Sequence, residues 1–234
     1  MTSRADRASV PVSSLLDRIG LVAFDLDGTL IDSAPDIAAA ANAMLTQLGS
    51  GALEVARVRG MIGDGIEALV RSALAVSGTD VSRAGGEAHA LRLFREHYSR
   101  HIFDQSRLYP GVLEALGELR RRALRLACIT NKAQDLTASL LERAGLTQSL
   151  EFSLSPSSAE ERKPSPRLLQ VALQRVGLRP GELLYVGDSR SDLLAARAAG
   201  CRIALTTQGY HQGAPLADLG PDALIGPLTD LLLR

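Results

Sequence analysis

The 234-residue chain sets 26 Lys and Arg against 26 Asp and Glu, and this zero formal charge excludes the cation surplus on which duplex-DNA binding depends. Hydrophobic residues make up 46% of the chain, yet no uncharged apolar stretch approaches the about 20 residues that cross a bilayer, so a soluble globular protein without membrane or nucleic-acid partners is expected. With 4 Phe, 4 Tyr and no Trp, the core must be aliphatic, and aromatic platforms for single-stranded nucleic acid are not expected.

Residues 1–18 start basic but lack the apolar run of a secretory signal, and they read as a ragged N-terminal extension. Leu21 to Phe24 is the first buried strand and ends in Asp25, Asp27 and a Gly28-Thr29 turn. Two carboxylates two positions apart at a strand's end point into one crevice, where like charges so close need a cation. Gly28 lets the backbone fold tightly beside an anion. From about Asp36 to Phe103 the chain shows helical periodicity and no credible strand, with helices over Ala38 to Leu48, Ile66 to Val76 and His89 to Arg100. This block reads as an insertion whose two connections, near Ser33 to Pro35 and Asp104 to Gly111, form a hinge. Within it, Gly63 and Gly65 open a helix whose amides face an anion or make ordinary turns, and these readings are left even. His97 and His101 share a helix face at the spacing of a zinc pair, but with no third ligand nearby a solvated face is the better reading.

After Leu108-Tyr109-Pro110-Gly111 the alternation resumes. Strands are expected at Leu124 to Ile129, Leu183 to Val186 and Ile203 to Leu205. Helices are expected at Val112 to Arg122, Ala133 to Ala144, Pro166 to Val176 and Asp192 to Ala199, the last three stopped by Gly145, Gly177 and Gly200. Strand and helix in series imply an α/β fold, a doubly wound parallel sheet with a Rossmann-like core, carrying an inserted all-helical cap above the carboxyl ends of the strands. The division expected is an extension at 1–18, a core at 19–33 and 108–234, and a cap at 34–107. Cys128 and Cys201 lie in buried-strand runs and read as core thiols, which suits a reducing cytoplasm.

Residues 21–33, LVAFDLDGTLIDS, resemble the first motif of the haloacid-dehalogenase-type phosphatases, and the other motifs follow in order: Thr130-Asn131 at a strand end, Lys163 in RKPSP, and VGDSRSD with Asp188 and Asp192. The resemblance covers nearly all of the chain from Leu21 onward. It implies a phosphomonoester hydrolase acting through an aspartyl phosphate on Asp25, with Asp27 as acid and base. Mg2+, a hard oxygen-seeking cation, is the cofactor expected, held by Asp25, Asp188 and the main-chain carbonyl of Asp27. Thr130 and Lys163 complete the catalytic set, and Gly28, Thr29 and Asn131 are expected to bind the phosphoryl oxygens. Asp192 reads as a helix cap or as a partner of Lys163 or of bound water. Lys132 either gathers anions at the mouth of the site or is solvated. Arg71 and the 63–65 loop are the cap candidates for a substrate carboxylate.

Within the family, IDSAPDIAAAANAML, IGDGIEALVRSAL and GDSRSDLLAARAAGC resemble bacterial phosphoglycolate phosphatases. That likeness implies a small phosphorylated metabolite as partner, 2-phosphoglycolate first, with the protein acting as monomer or homodimer. Relatives with the same motifs hydrolyse sugar phosphates such as N-acetylmuramate 6-phosphate or act on pyrophosphate, and a phosphoglucomutase-like phosphotransferase or a phosphate-sensing module are the competing classes.

Overall fold

The computed structural model describes residues 12–80, 82, 85–211 and 215–233. Residues 1–11 of the expected extension lie outside these. Residues 12–18 depart from a ragged arm, because Val12–Leu15 forms a short helix (α1) with Leu15 fully buried. Arg202 donates to the carbonyls of Ser14 and Leu15, at 3.3 and 2.9 Å, and ties this turn to the core.

Strand β1 (Leu21–Phe24) is followed by β2 (Ile31–Asp32), after which the cap supplies α2 (Ala34–Gln47), α3 (Val55–Arg59), α4 (Ile66–Ser77) and α5 (Glu87–Arg100). The chain returns through β3 (Arg107–Leu108), which pairs antiparallel with β2, Ile31 opposite Leu108 and Asp32 opposite Arg107. Then come α6 (Val112–Arg121), β4 (Arg125–Ile129), α7 (Gln134–Arg143), β5 (Phe152–Leu154), α8 (Arg167–Val176), β6 (Leu183–Gly187), α9 (Arg190–Ala199), β7 (Arg202–Thr206) and β8 (Ala223–Ile225). The two-residue ribbon and strands β5 and β8 were not anticipated. Each is only two or three residues long and too short for its own apolar pattern to register.

The large sheet is parallel in the order β5-β4-β1-β6-β7-β8. Successive side chains alternate faces, and the core divides accordingly. Val22, Phe24, Leu126, Cys128, Leu184 and Val186 pack with α6, α7 and the cap helices. Leu21, Ala23, Ala127, Ile129, Leu183 and Tyr185 pack with α8 and α9. Strand order reverses at β1, which lies between β4 and β6, so the crevice that such sheets use for ligands opens at its carboxyl end.

The cap is a helical bundle in which α2 packs on α5, α4 and α3. Its core is formed by Met44, Leu45, Val70, Phe94 and Tyr98, all fully buried. At its base Asp36, in the first turn of α2, accepts the main-chain amides of Gln105 and Ser106 and the Ser106 hydroxyl at 2.5–3.1 Å. That clasp joins the outgoing and returning chain across 70 positions.

Candidate active site

Each chemistry-bearing residue follows a strand at the same edge of the sheet: Asp25 after β1, Thr130 after β4 and Asp188 after β6. The turn after β1 is closed by the amides of Thr29, Leu30 and Ile31, which all donate to the Leu26 carbonyl at 3.0–3.3 Å. Gly28 sits there at φ +85°, and a Cβ at that position would collide with the Asp188 carboxylate. Glycine is therefore required both by the backbone and by the close approach of Asp188.

Three carboxylates converge. Asp25, Asp188 and Asp192 are buried, and one oxygen of each lies within 4.8 Å of the others. Lys163, 4% exposed, enters the cluster with Nζ 2.8 Å from Asp25 Oδ1, 2.7 Å from Asp192 Oδ1 and 2.9 Å from the Tyr185 hydroxyl. Burial pushes the Asp25 carboxyl up to about 6 despite the pull of Lys163. Burial, with repulsion from Asp192 and Asp25, lifts Asp188 well above the usual carboxylate range. Burial acts on Asp192 in the same direction, but Lys163 and the Ser189 hydrogen bonds outweigh it and hold that carboxyl below its ordinary value. Lys163 keeps its proton because Asp192 and Asp25 more than offset its burial. Three carboxylates against one ammonium leave a charge of −2, the complement of a divalent cation bound by oxygen.

Asp192 is the hub of this arrangement. Ser189 is the N-cap of α9 and forms a capping box with Asp192. Asp192 Oδ2 accepts the Ser189 hydroxyl at 2.6 Å and the amides of Ser189 and Asp188 at 3.0 and 3.2 Å. Both readings of Asp192, helix cap and Lys163 partner, describe its contacts. Asp188 in turn accepts the Tyr210 amide at 2.5 Å and the Thr29 hydroxyl at 3.4 Å.

A cavity of about 40 Å3 runs from this cluster to the cap, lined on the sheet side by Asp25, Asp27, Thr130 and Lys132. The Asp27 carboxylate stands apart from the three-carboxylate cluster. It accepts Lys132 Nζ at 2.9 and 3.0 Å and the Ser33 hydroxyl at 2.5 Å.

Several expectations require correction. Lys132 is neither at the mouth nor solvated. It is 5% exposed, and Asp27 and Tyr98 raise its affinity for its proton against the effect of burial. The Gly28 amide donates to the Ile31 carbonyl at 2.9 Å and is already committed to the turn. Thr29 is buried against Asp188 and is absent from the cavity wall. The Asn131 side chain lines the cavity, but its amide nitrogen donates to the carbonyls of Gly63 and Lys163 and its oxygen accepts the Lys163 amide. It thus splints cap to core. Arg71 points away from the cavity, with 65% of its side chain exposed and paired to Glu87 at 2.8 Å. Gly63 and Gly65 do line the cavity. His97 is half-buried and His101 exposed beside Asp104, and neither belongs to a cluster of three ligands among the described residues.

The sequence reading missed Tyr210, whose hydroxyl accepts the amides of Ser33 and Ala34 at 2.7 and 2.9 Å and donates to Asp32 at 2.8 Å. It also missed Tyr98 of α5, which reaches the cavity from the cap. In a chain with 4 tyrosines, their scarcity was the one available signal.

Residues 22–206 match the profile of the haloacid dehalogenase-like hydrolases. The chain is 40% identical over 215 residues to phosphoglycolate phosphatase 1 of Pseudomonas aeruginosa, covering 91% of this chain and 78% of the relative. It is 39% identical over 212 residues to the phosphoglycolate phosphatase of Nitrosospira multiformis, covering 91% and 93%. The crystal structure of a predicted phosphoglycolate phosphatase from Haemophilus somnus superposes with a TM-score of 0.86 at 31% identity, covering 93% of this chain and 98% of that one.

Proposed function

The chain belongs to the haloacid dehalogenase-like hydrolase family and is a phosphatase, and from that premise we propose that it is a Mg2+-dependent phosphomonoesterase whose preferred substrate is 2-phosphoglycolate, cleaved to glycolate and phosphate. The observation that carries this reading is the convergence of Asp25, Asp188 and Lys163 at the carboxyl ends of β1 and β6, beside a cavity that Asp27 also lines. The two relatives described above carry that substrate in their names.

In this reading an Asp25 carboxylate oxygen attacks phosphorus and forms the aspartyl phosphate, while the bond to the leaving oxygen breaks and Asp27 gives that oxygen a proton. Asp27 then takes a proton from the water that attacks the same phosphorus, which releases phosphate and restores Asp25. Asp25, Asp188 and the Asp27 carbonyl would hold Mg2+, which when bound cancels the repulsion between the carboxylates and the phosphate dianion. Lys163 adds a fixed positive charge, and Asp192 and Tyr185 hold it in place. The Thr130 hydroxyl, which follows β4 on the cavity wall, would donate to a phosphoryl oxygen. Cys128 and Cys201 are buried free thiols, in keeping with a cytoplasmic location, and among the described residues no helix is long and apolar enough to cross a membrane.

The test is phosphate release from 2-phosphoglycolate, N-acetylmuramate 6-phosphate, glucose phosphates and pyrophosphate, ranked by kcat/KM with Mg2+ and with chelator. Phosphoglycolate is expected first, and Asp25→Asn is expected to abolish release. A sugar phosphate ranked above it by tenfold would overturn the substrate, and release unaffected by Asp25→Asn would overturn the mechanism.

A further inference from the structure

The substrate proposed above carries a carboxylate beside its phosphate, and the arginine expected to read it lies on the far side of the cap helix. We propose that the Tyr98 hydroxyl, together with the Lys132 ammonium, is the site that binds the carboxylate of the leaving group. This inference rests on the phosphoglycolate reading and adds the residues that would make it selective.

The cap's contribution to the cavity is almost wholly apolar, from Ile37, Ile62, Ile66, Leu69 and Phe94. Tyr98 is the one cap residue on that wall whose side chain can form a hydrogen bond. It is fully buried, the Lys132 ammonium is its hydrogen-bonding neighbour, and its own O–H proton has no acceptor among the described residues. Buried hydroxyls are rarely left so in native proteins, and one facing a ligand cavity points to a partner that arrives with the ligand. Burial pushes the phenol up to about 12, so it stays protonated and can donate.

Lys132 is the only cation among the described residues of the cavity wall. Its Nζ sits 4.8 Å from the centroid of the Tyr98 ring. An ammonium has three donors, and the two Asp27 oxygens account for two of them, at 2.9 and 3.0 Å. The third serves the Tyr98 hydroxyl oxygen, which leaves the phenol O–H as the free donor of the pair, with a cation behind it at the seam of core and cap. An anionic oxygen is the acceptor such a pair favours, because hydrogen bonds to charged groups are about twice as strong as neutral ones. The apolar wall around the pair lowers the local dielectric and strengthens a contact to charge.

The test compares wild type and Tyr98→Phe on 2-phosphoglycolate and on ethyl phosphate, which has the same length without the carboxylate. In Tyr98→Phe the ratio of kcat/KM for phosphoglycolate to that for ethyl phosphate should fall roughly 10- to 100-fold. The loss should appear mainly in KM, since the contact is remote from phosphorus. A ratio within twofold of wild type, with phosphoglycolate still hydrolysed, overturns the role of Tyr98 and leaves the substrate reading standing. Hydrolysis of ethyl phosphate but not phosphoglycolate by wild type overturns both. If Tyr98→Phe melts well below wild type, the wild-type preference for phosphoglycolate over its methyl ester decides. Tenfold or more supports the carboxylate site, and less than twofold overturns it.

Discussion

Replacing Lys163 with Met removes the one cation among the described residues in contact with both Asp25 and Asp192 and leaves three carboxylates within 4.8 Å of one another. Breaking a buried ion pair on one side costs about 3–5 kcal/mol, because the remaining charge is stranded. The least costly relief is for Asp25 to take up a proton, because burial already lifts its carboxyl to about 6, and protonating a group of that value costs about 1.4 kcal/mol at pH 7 and nothing at pH 5. The mutant's folded state then binds a proton that its unfolded state does not, so its stability relative to wild type improves as pH falls. Urea denaturation of both proteins in chelator, from pH 5 to pH 7.5, measures the difference. A deficit of about 3–5 kcal/mol at pH 7, equivalent to about 6–20 °C in Tm for a chain of this size, should shrink by about 1 kcal/mol by pH 5. A deficit below 1 kcal/mol at pH 7, or one that does not change with pH, would show that the Lys163 charge is not what balances the cluster.

Other consequences follow from the same geometry. Asp27→Asn should leave Mg2+-dependent stabilisation in place while lowering kcat by about 10²- to 10⁴-fold, and an unchanged kcat would remove Asp27 from proton transfer. Because Asp25 rises from 3.8 to about 6, the ion-free protein keeps a proton there that the unfolded chain has lost, and this term lowers its stability by roughly 3 kcal/mol as pH rises through that window. Mg2+ needs the ionised carboxylates, so the Tm gain on adding it should grow between pH 5 and pH 7, and a constant gain would place the ion elsewhere. Arg71→Ala should change kcat/KM by less than twofold and leave Tm essentially where it is, since its pair with Glu87 is exposed. A tenfold loss of activity would return Arg71 to the substrate.

The four strands that carry or flank the chemistry were legible in sequence because each is a short apolar run ending in Asp, Thr or Gly, a pattern that only a doubly covered parallel sheet explains. Leu21–Phe24 has its expected bounds, and β4, β6 and β7 differ by a residue at one or both ends. What could not be read was the pairing of side chains distant in the chain. Asp27 and Lys132 are 105 positions apart, and Tyr210 and Ser33 are 177 apart. Local composition says nothing about such partners. Thr29 and the Gly28 amide were assigned to the ligand because their place beside the acidic pair is conspicuous, yet the turn consumes both. Arg71 was assigned by charge alone, and its helical position turns it outward. Tyr98 had no local signal within its helix, and only its place on the cavity wall beside Lys132 marks it out.

The clasp at Asp36, above the β2–β3 ribbon, gathers the outgoing and returning chains into a single root for the cap. Everything between Ile37 and Asp104 is enclosed by that rivet, so lengthening or rebuilding the enclosed helices leaves the spacing of Asp25, Thr130 and Asp188 untouched. Such an arrangement lets the identity of the departing alcohol be rewritten by replacing a cassette, while the phosphorus-handling apparatus below is inherited intact.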